Sequence, residues 1–331
     1  MLITVGSKNL TRVTFALVCL SLLFPLVGKG AEKKPGAATA QTSKAKSSSR
    51  SAISKDPYLG AIVVDAVSGK VLVEDGADIK GYPASMLKLM DLLIVLEKLQ
   101  QGQLSLQDQV VASAKASKVG GSQVWLAEHE SFTLEDMLYA LMVHSANDVA
   151  VAISEKVAGS TESFVQLMNE KAKQLGMNST VFNSVHGLPP AAGQQHDVTT
   201  ARDFSILCRE IVMKHPEALT YTSTRTRPFR PGVPGKTVVM QNHNHLVGTL
   251  DGCDGLKTGY IYAGGFCIAV TAQRDSRRVI AVVLGSVDRK VRDKKASELV
   301  AKGFAALPPV AIHHAGANTQ TAAPQKPAPK K

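Results

Sequence analysis

The residues best suited to covalent chemistry in this 331-residue chain are Ser85 and Lys88, in the run Ser85-Met86-Leu87-Lys88. A serine hydroxyl is a weak nucleophile near neutral pH unless a base removes its proton, and a lysine held as the free amine can do so. Positions i and i+3 share a helix face, so a helical segment would bring the amine beside the hydroxyl. Two further runs can complete such a centre. In Ser145-Ala146-Asn147 the hydroxyl can pass a proton between Lys88 and a leaving amine, and the amide can bind a substrate carbonyl and hold Lys88 in place. In Lys257-Thr258-Gly259 a cation and a hydroxyl can take a carboxylate, and the glycine lets an extended substrate approach the backbone and pair as an added strand. Taken singly, the first run reads better as a surface helix and the second as a helix cap, and a strand with an exposed lysine is a plausible reading of the third. Taken together and in this order, they describe acyl transfer through a serine.

The elements that must position these groups follow from the flanking residues. Pro83 precedes Ala84 and Ser85, and Leu89, Met90, Leu92, Leu93, Val95 and Leu96 follow, which predicts a buried helix with Ser85 at its N-terminus. Unpaired N–H groups and the helix dipole there would favour an oxyanion. Thr133, with Glu135 and Asp136, caps a predicted helix over 134–143, and Ser145 and Asn147 then lie at the junction with the apolar run Val149, Ala150, Val151, Ile153. Helices are also predicted over 161–175, stopped by Gly176, and over 199–214, ending before Pro216. Residues 61–65 and 71–73 around Ser68-Gly69 read as a hairpin, and 254–260, 264–270 and 279–284 as an antiparallel meander with the lysine motif on its first strand. The predicted class is α+β, an antiparallel sheet flanked by helices with an inserted helical region and the site at the seam.

With these motifs, over residues 58–307, the chain resembles the low-molecular-mass penicillin-binding proteins, the D-alanyl-D-alanine carboxypeptidases and related endopeptidases of the bacterial wall. The likeness extends to Leu138-Tyr139-Ala140-Leu141-Met142, Asn183-Ser184-Val185-His186-Gly187-Leu188, Thr200-Ala201-Arg202-Asp203, Asn242-His243-Asn244-His245-Leu246 and Gly255-Leu256. It implies a β-lactamase/transpeptidase-like fold whose N- and C-terminal strands close into one sheet. It implies that Ser85 is acylated by the penultimate D-alanine carbonyl of a peptidoglycan stem peptide, with Lys88 as base. Backbone N–H groups of Ser85 and Tyr260 would form the oxyanion hole, Lys257 and Thr258 would bind the terminal carboxylate, and Arg292 would be a second carboxylate-binding group. β-Lactams would be acylating inhibitors, and neither a cofactor nor a metal is implied.

This sequence departs from the family where threonines are common, at Leu87 and Asp91. Leu87, at i+2 from Ser85, is expected to point into packing and leave activity intact. Many relatives add a β-rich domain and a C-terminal amphipathic anchor, and the resemblance here ends near Leu307, so a single-domain member without that anchor is expected. The expected activity is that of a serine D-Ala-D-Ala carboxypeptidase, with a DD-endopeptidase opening cross-links as the alternative. A β-lactamase would need a placed carboxylate, but no Glu-x-x-Leu-Asn segment follows Ala150, and Glu162 is followed by Ser163-Phe164-Val165-Gln166. A non-catalytic wall-binding protein need not keep all three motifs. Lys257 is expected to depress the Lys88 pKa by like-charge repulsion.

Residues 1–30 read as a signal peptide, with Lys8 and Arg12 before an apolar stretch over 13–27, which places the protein in the periplasm or extracytoplasmic wall space. The net charge of +11 is concentrated in the tails, residues 57–306 carrying only +1. Residues 31–56 and 308–331 are poor in aromatic and branched apolar residues and are expected to be disordered. These cationic tails suit either salt-sensitive contact with an anionic wall or membrane surface or a plain solubilising role. Nucleic acid is not an expected partner, because no basic face with interleaved aromatics is visible between them. Cys208, Cys253 and Cys267 have no metal-like spacing and allow one disulfide at most. His243 and His245 would share a side of a strand or turn, and packing is a better reading for them than metal binding.

Overall fold

The computed structural model describes residues 54–308. The expected signal segment 1–30, residues 31–53 of the linker and residues 309–331 of the tail lie outside them. The first hairpin forms where alternation predicts it, as β1 (Gly60–Asp65) and β2 (Val71–Asp75). A short 3-10 turn, Ala84–Leu87, leads into α1 (Lys88–Gln100). There follow β3 (Gln109–Val111), α2 (Ala114–Lys118), β4 (Ser131–Thr133), α3 (Leu134–Val143), α4 (Asn147–Ala158) and α5 (Thr161–Leu175). Then come α6 (Ala201–Lys214), α7 (Ala218–Thr222), β5 (Thr226–Phe229) and β6 (Val238–Gln241). The chain closes with β7 (Cys253–Ile261), β8 (Gly265–Arg274), β9 (Arg277–Ser286) and α8 (Arg289–Ala306).

The main sheet is antiparallel, in the order β2-β1-β9-β8-β7. Pairing of β1 with β9 joins the two ends of the described chain, as the family resemblance implied, and leaves β7 at an edge. Period-two alternation divides the strands between two cores. Ala61, Val63, Ile268, Val270, Val279, Ala281 and Val283 face α8 through Ala296, Leu299, Val300 and Phe304. Ile62, Val64, Ala269, Ile280, Val282 and Leu284 face the helical region. There α1 is the central post, buried on all sides from Lys88 to Leu96, an apolar run apart from Lys88 at its start and Asp91 within it.

Caps set the helix limits. The side chains of Thr133 and Ser160 accept from Asp136 N and Ser163 N, and Gly176 ends α5 in the left-handed conformation. The helix predicted over 199–214 begins later, at Ala201, because Thr200 is its cap and accepts from Asp203 N. Ser85 does not sit in an α-helix as predicted. It lies in the 3-10 turn after Pro83, and α1 begins at Lys88. Among the described residues no helix is long and apolar enough to cross a membrane, and Cys208, Cys253 and Cys267 are free thiols.

Candidate active site

The 3-10 turn carrying Ser85 is held between β7 and the segment around Gly187. A side chain at Gly187, whose φ is +76°, would place its Cβ 2.3 Å from the carbonyl of Ala84. At Gly259 it would lie 2.3 Å from Pro83 O, 3.0 Å from Met86 N and 3.1 Å from Ser85 N. The serine turn and the lysine strand are therefore in backbone contact, which only glycine permits here.

One turn beyond Ser85, the Lys88 side chain is fully buried. Its Nζ lies 3.1 Å from Ser85 Oγ, 2.8 Å from Asn147 Oδ1 and 2.8 Å from the carbonyl oxygen of His186. Asn147 Oδ1 and the His186 carbonyl oxygen can only accept. A neutral amine can satisfy both with its two N–H groups and turn its lone pair to the Ser85 hydroxyl. Burial lowers the Lys88 pKa to about 7, while Asp91, Asp197 and Asp148 pull the other way. Desolvation thus performs the task assigned to Lys257 from the sequence, and that expectation is corrected. Lys257, itself buried, is pushed well below the usual lysine range by burial first and then by Lys88 and Arg292.

The partners of Lys88 are in turn fixed. Asn147 opens α4, donates from Nδ2 to Gly120 O at 2.8 Å and from its backbone N to Ser122 O at 2.7 Å. Next to it, buried Asp148 accepts from Val124 N and Leu126 N at 3.1 and 3.0 Å, so the 120–126 loop is tied to the start of α4. The His186 carbonyl is aimed by Asp197, which accepts from Asn183 N, Ser184 N and Ser184 Oγ at 2.6, 2.9 and 2.8 Å.

Ser145, in the left-handed conformation with φ +58°, lines the same cleft as Ser85. This cleft, of about 340 Å³, is walled also by Thr258, Gly259, Tyr260, Arg292 and His243. Tyr260 is half exposed and stacks on Phe266 with ring centroids 4.2 Å apart. Buried Arg292 pairs with Asp293 at 2.6 Å and donates to Cys267 O at 3.3 Å. The structure therefore brings together Ser85, Lys88, Ser145, Asn147, Thr258, Gly259, Tyr260 and Arg292, with Lys257 behind Thr258, whose carbonyl accepts from Lys257 Nζ at 3.1 Å.

Sequence reasoning missed other residues of the cleft. Ser122 and Arg289 line it, and so do His243 and His245, for which packing is the role expected from sequence. Burial, then Lys257, pushes the His243 pKa down to about 3, so the ring is neutral at pH 7 beside a cationic pocket. Its ring lies 5.7 Å from that of His144, between centroids. The placement of His243 between Asn242 and Asn244, both of which fasten turns through their side chains, was the available signal. Asp91 was noticed only as a departure from a threonine. It is buried one turn beyond Lys88 with neither carboxyl oxygen hydrogen-bonded. Among the described residues no group of three or more His, Cys, Asp or Glu side chains could hold a metal ion.

This geometry can be set beside known proteins. The sequence model of the D-alanyl-D-alanine carboxypeptidase family matches residues 44–288. The D-alanyl-D-alanine carboxypeptidase DacF of Bacillus subtilis is 33% identical over 244 residues, covering 74% of this chain and 61% of the relative. The chain thus spans about three fifths of the length of that relative. A D-alanyl-D-alanine endopeptidase of Escherichia coli is 28% identical over 291 residues, 87% of each chain. Among solved structures, the ampicillin-bound penicillin-binding protein D2 of Listeria monocytogenes superimposes with a TM-score of 0.67 at 31% identity, over 75% of this chain and 98% of that one. On the extent of these matches, and with the serine, lysine and asparagine gathered around one cleft, the chain belongs to the D-alanyl-D-alanine carboxypeptidase family of peptidases.

Proposed function

We propose that the protein is an exported serine-type D-Ala-D-Ala carboxypeptidase acting on peptidoglycan stem peptides. The observation that carries this reading is the buried Lys88 amine, 3.1 Å from Ser85 Oγ, with its other two partners able only to accept. Ser85 Oγ attacks the penultimate D-alanine carbonyl while its proton passes to Lys88. The oxyanion is received by the N–H groups of Ser85 and Tyr260, and Lys88, through Ser145, returns the proton to the departing D-alanine nitrogen. Lys257, Thr258 and Arg292 bind the terminal carboxylate, and Asn147 keeps Lys88 aimed. Water then releases the acyl group. β-Lactams acylate Ser85 by the same attack and, lacking a rapid second step, remain attached.

Incubation of the protein with monomeric pentapeptide and D-alanyl cross-linked dimer, beside Ser85→Ala, tests this by mass spectrometry. Loss of D-alanine from the monomer in the wild type alone is the expected result. Conversion of dimer to monomer, with pentapeptide left intact, would replace it with an endopeptidase. That second reading is supported by the matched length, because the Escherichia coli endopeptidase and this chain cover 87% of each other.

A further prediction concerns Gly259→Ala. The added methyl meets backbone atoms on the serine turn at 2.3–3.1 Å, so β7 must retreat and the two oxyanion donors separate. Acylation by a labelled β-lactam should slow by about a hundredfold, the scale of loss that a 1 Å misplacement can cause.

A further inference from the structure

A second concavity, of about 410 Å³, is separate from the catalytic cleft and has no part in the chemistry above. Its walls include Trp125, Glu130, Arg230, Lys236 and Thr237. The two hollows share one stretch of chain. Ser122 lines the catalytic cleft and Trp125, three residues on, lines the other, so the chain between them spans at most about 10 Å.

The pocket is a built structure. The buried Arg230 guanidinium donates to Val124 O at 2.6 Å and Trp125 O at 3.0 Å, and from Nε to Glu130 Oε1 at 2.7 Å. Its own carbonyl accepts from Thr237 Oγ1 at 2.8 Å. Six non-glycine residues among those described have left-handed backbone. Ala84 precedes the nucleophile and Ser145 shares its cleft, whereas Trp125 and Arg230 line this second pocket and His129 precedes Glu130 of its wall. Strained backbone persists where surrounding contacts over-determine it, and it gathers at functional sites. Here it holds Trp125 with 65% of its surface exposed, an unusual amount for the largest apolar side chain.

We propose that this pocket is a subsite for an N-acetylated amino sugar of the wall glycan that carries the stem peptide. This rests on the proposed function, in which such a stem occupies the cleft. A pyranose ring presents a face of C–H bonds that packs flat on an indole, while its hydroxyl and acetamido groups need hydrogen-bonding partners around the rim. Lys236 supplies a donor there, and the Glu130 carboxylate and Thr237 hydroxyl oxygen, already bonded to Arg230, keep lone pairs that can accept. An extended pentapeptide reaches about 17 Å, so a stem entering with its D-alanine end at Ser85 can span to a sugar beyond Ser122.

Trp125 is the only tryptophan in the chain, so its fluorescence reports on this pocket alone. Titration of the full protein with the N-acetylglucosaminyl-N-acetylmuramic disaccharide, free of peptide, should give a saturable change in emission. Free pentapeptide, lacking sugar, should give none. In turnover, Trp125→Ala should lose about tenfold more kcat/KM on the disaccharide-linked pentapeptide than on the free pentapeptide, with folding checked by circular dichroism. No saturable response to the disaccharide, a response to peptide only, or equal losses on the two substrates would each overturn the proposal. The fluorescence arm needs no turnover, so a protein that binds the sugar without cleaving the peptide would overturn the proposed activity and leave the subsite standing.

Discussion

Replacing Lys88 with methionine should slow acylation of Ser85 by about 10³-fold or more while leaving the protein folded. General-base catalysis contributes about 10²–10⁴-fold, and no other amine lies within hydrogen-bonding reach of Ser85 Oγ among the described residues. The wild-type rate should fall tenfold per unit as pH drops below about 7, because burial sets the Lys88 pKa there and only the neutral amine can accept the serine proton. Stability supplies an independent readout. The folded pKa is depressed below that of the unfolded chain, so the native state binds fewer protons than the unfolded state between pH 7 and the ordinary lysine range. The lysine therefore burdens the fold most at low pH and is relieved as pH rises through that window. The melting temperature of Lys88→Met relative to wild type should be most favourable near pH 6 and should decline toward pH 10. An acid limb unchanged by this substitution, or one centred far from 7, would remove Lys88 as the base.

The second large effect is expected in the opposite direction, from Asp91→Thr. Both carboxyl oxygens of Asp91 are buried without hydrogen bonds, and burial pushes its pKa well above the usual carboxylate range despite the opposing pull of Lys88. An unsatisfied buried polar group costs roughly 1–3 kcal/mol. Threonine has nearly the same volume, and its hydroxyl can bond the carbonyl four residues back in its own helix. The raised folded pKa means that the native state holds a proton which the unfolded chain releases above about pH 4. Wild-type stability from this group is therefore lost as pH rises from that point, and the gain from Asp91→Thr should be larger at pH 8 than at pH 4.5. Thermal melts at the two pH values decide it. An equal or smaller gain at pH 8 would mean that Asp91 is ionised in the native protein.

The contrast between these two residues shows how far the site was legible in the sequence. Ser85, Lys88, Ser145, Asn147 and the 257–260 run are side-chain functions at fixed spacings, and spacing survives in a string of letters. The limits of α3 and α5 were legible for a similar reason, since Thr133 caps one and Gly176 ends the other. The His186 carbonyl was not, because a backbone oxygen carries no residue signature and reaches Lys88 across 98 positions. Nor were the short pairs β3–β4 and β5–β6, whose three or four residues are too few to display a period. The cause of the Lys88 shift was misassigned because a neighbouring charge can be named from sequence, whereas complete burial appears only once α1 is enclosed on every side.

The position of β7 carries one more consequence, for solubility. An edge strand with free backbone donors and acceptors can add a substrate, and by the same geometry it can recruit a second copy of the chain into a growing sheet. Here the rim of β7 near Gly259 opens into a cleft lined also by Ser122, Ser145, His243 and His245. One extended peptide can enter such a slot, but a strand still attached to its own sheet cannot. The walls that select the ligand thereby also guard the edge against self-association.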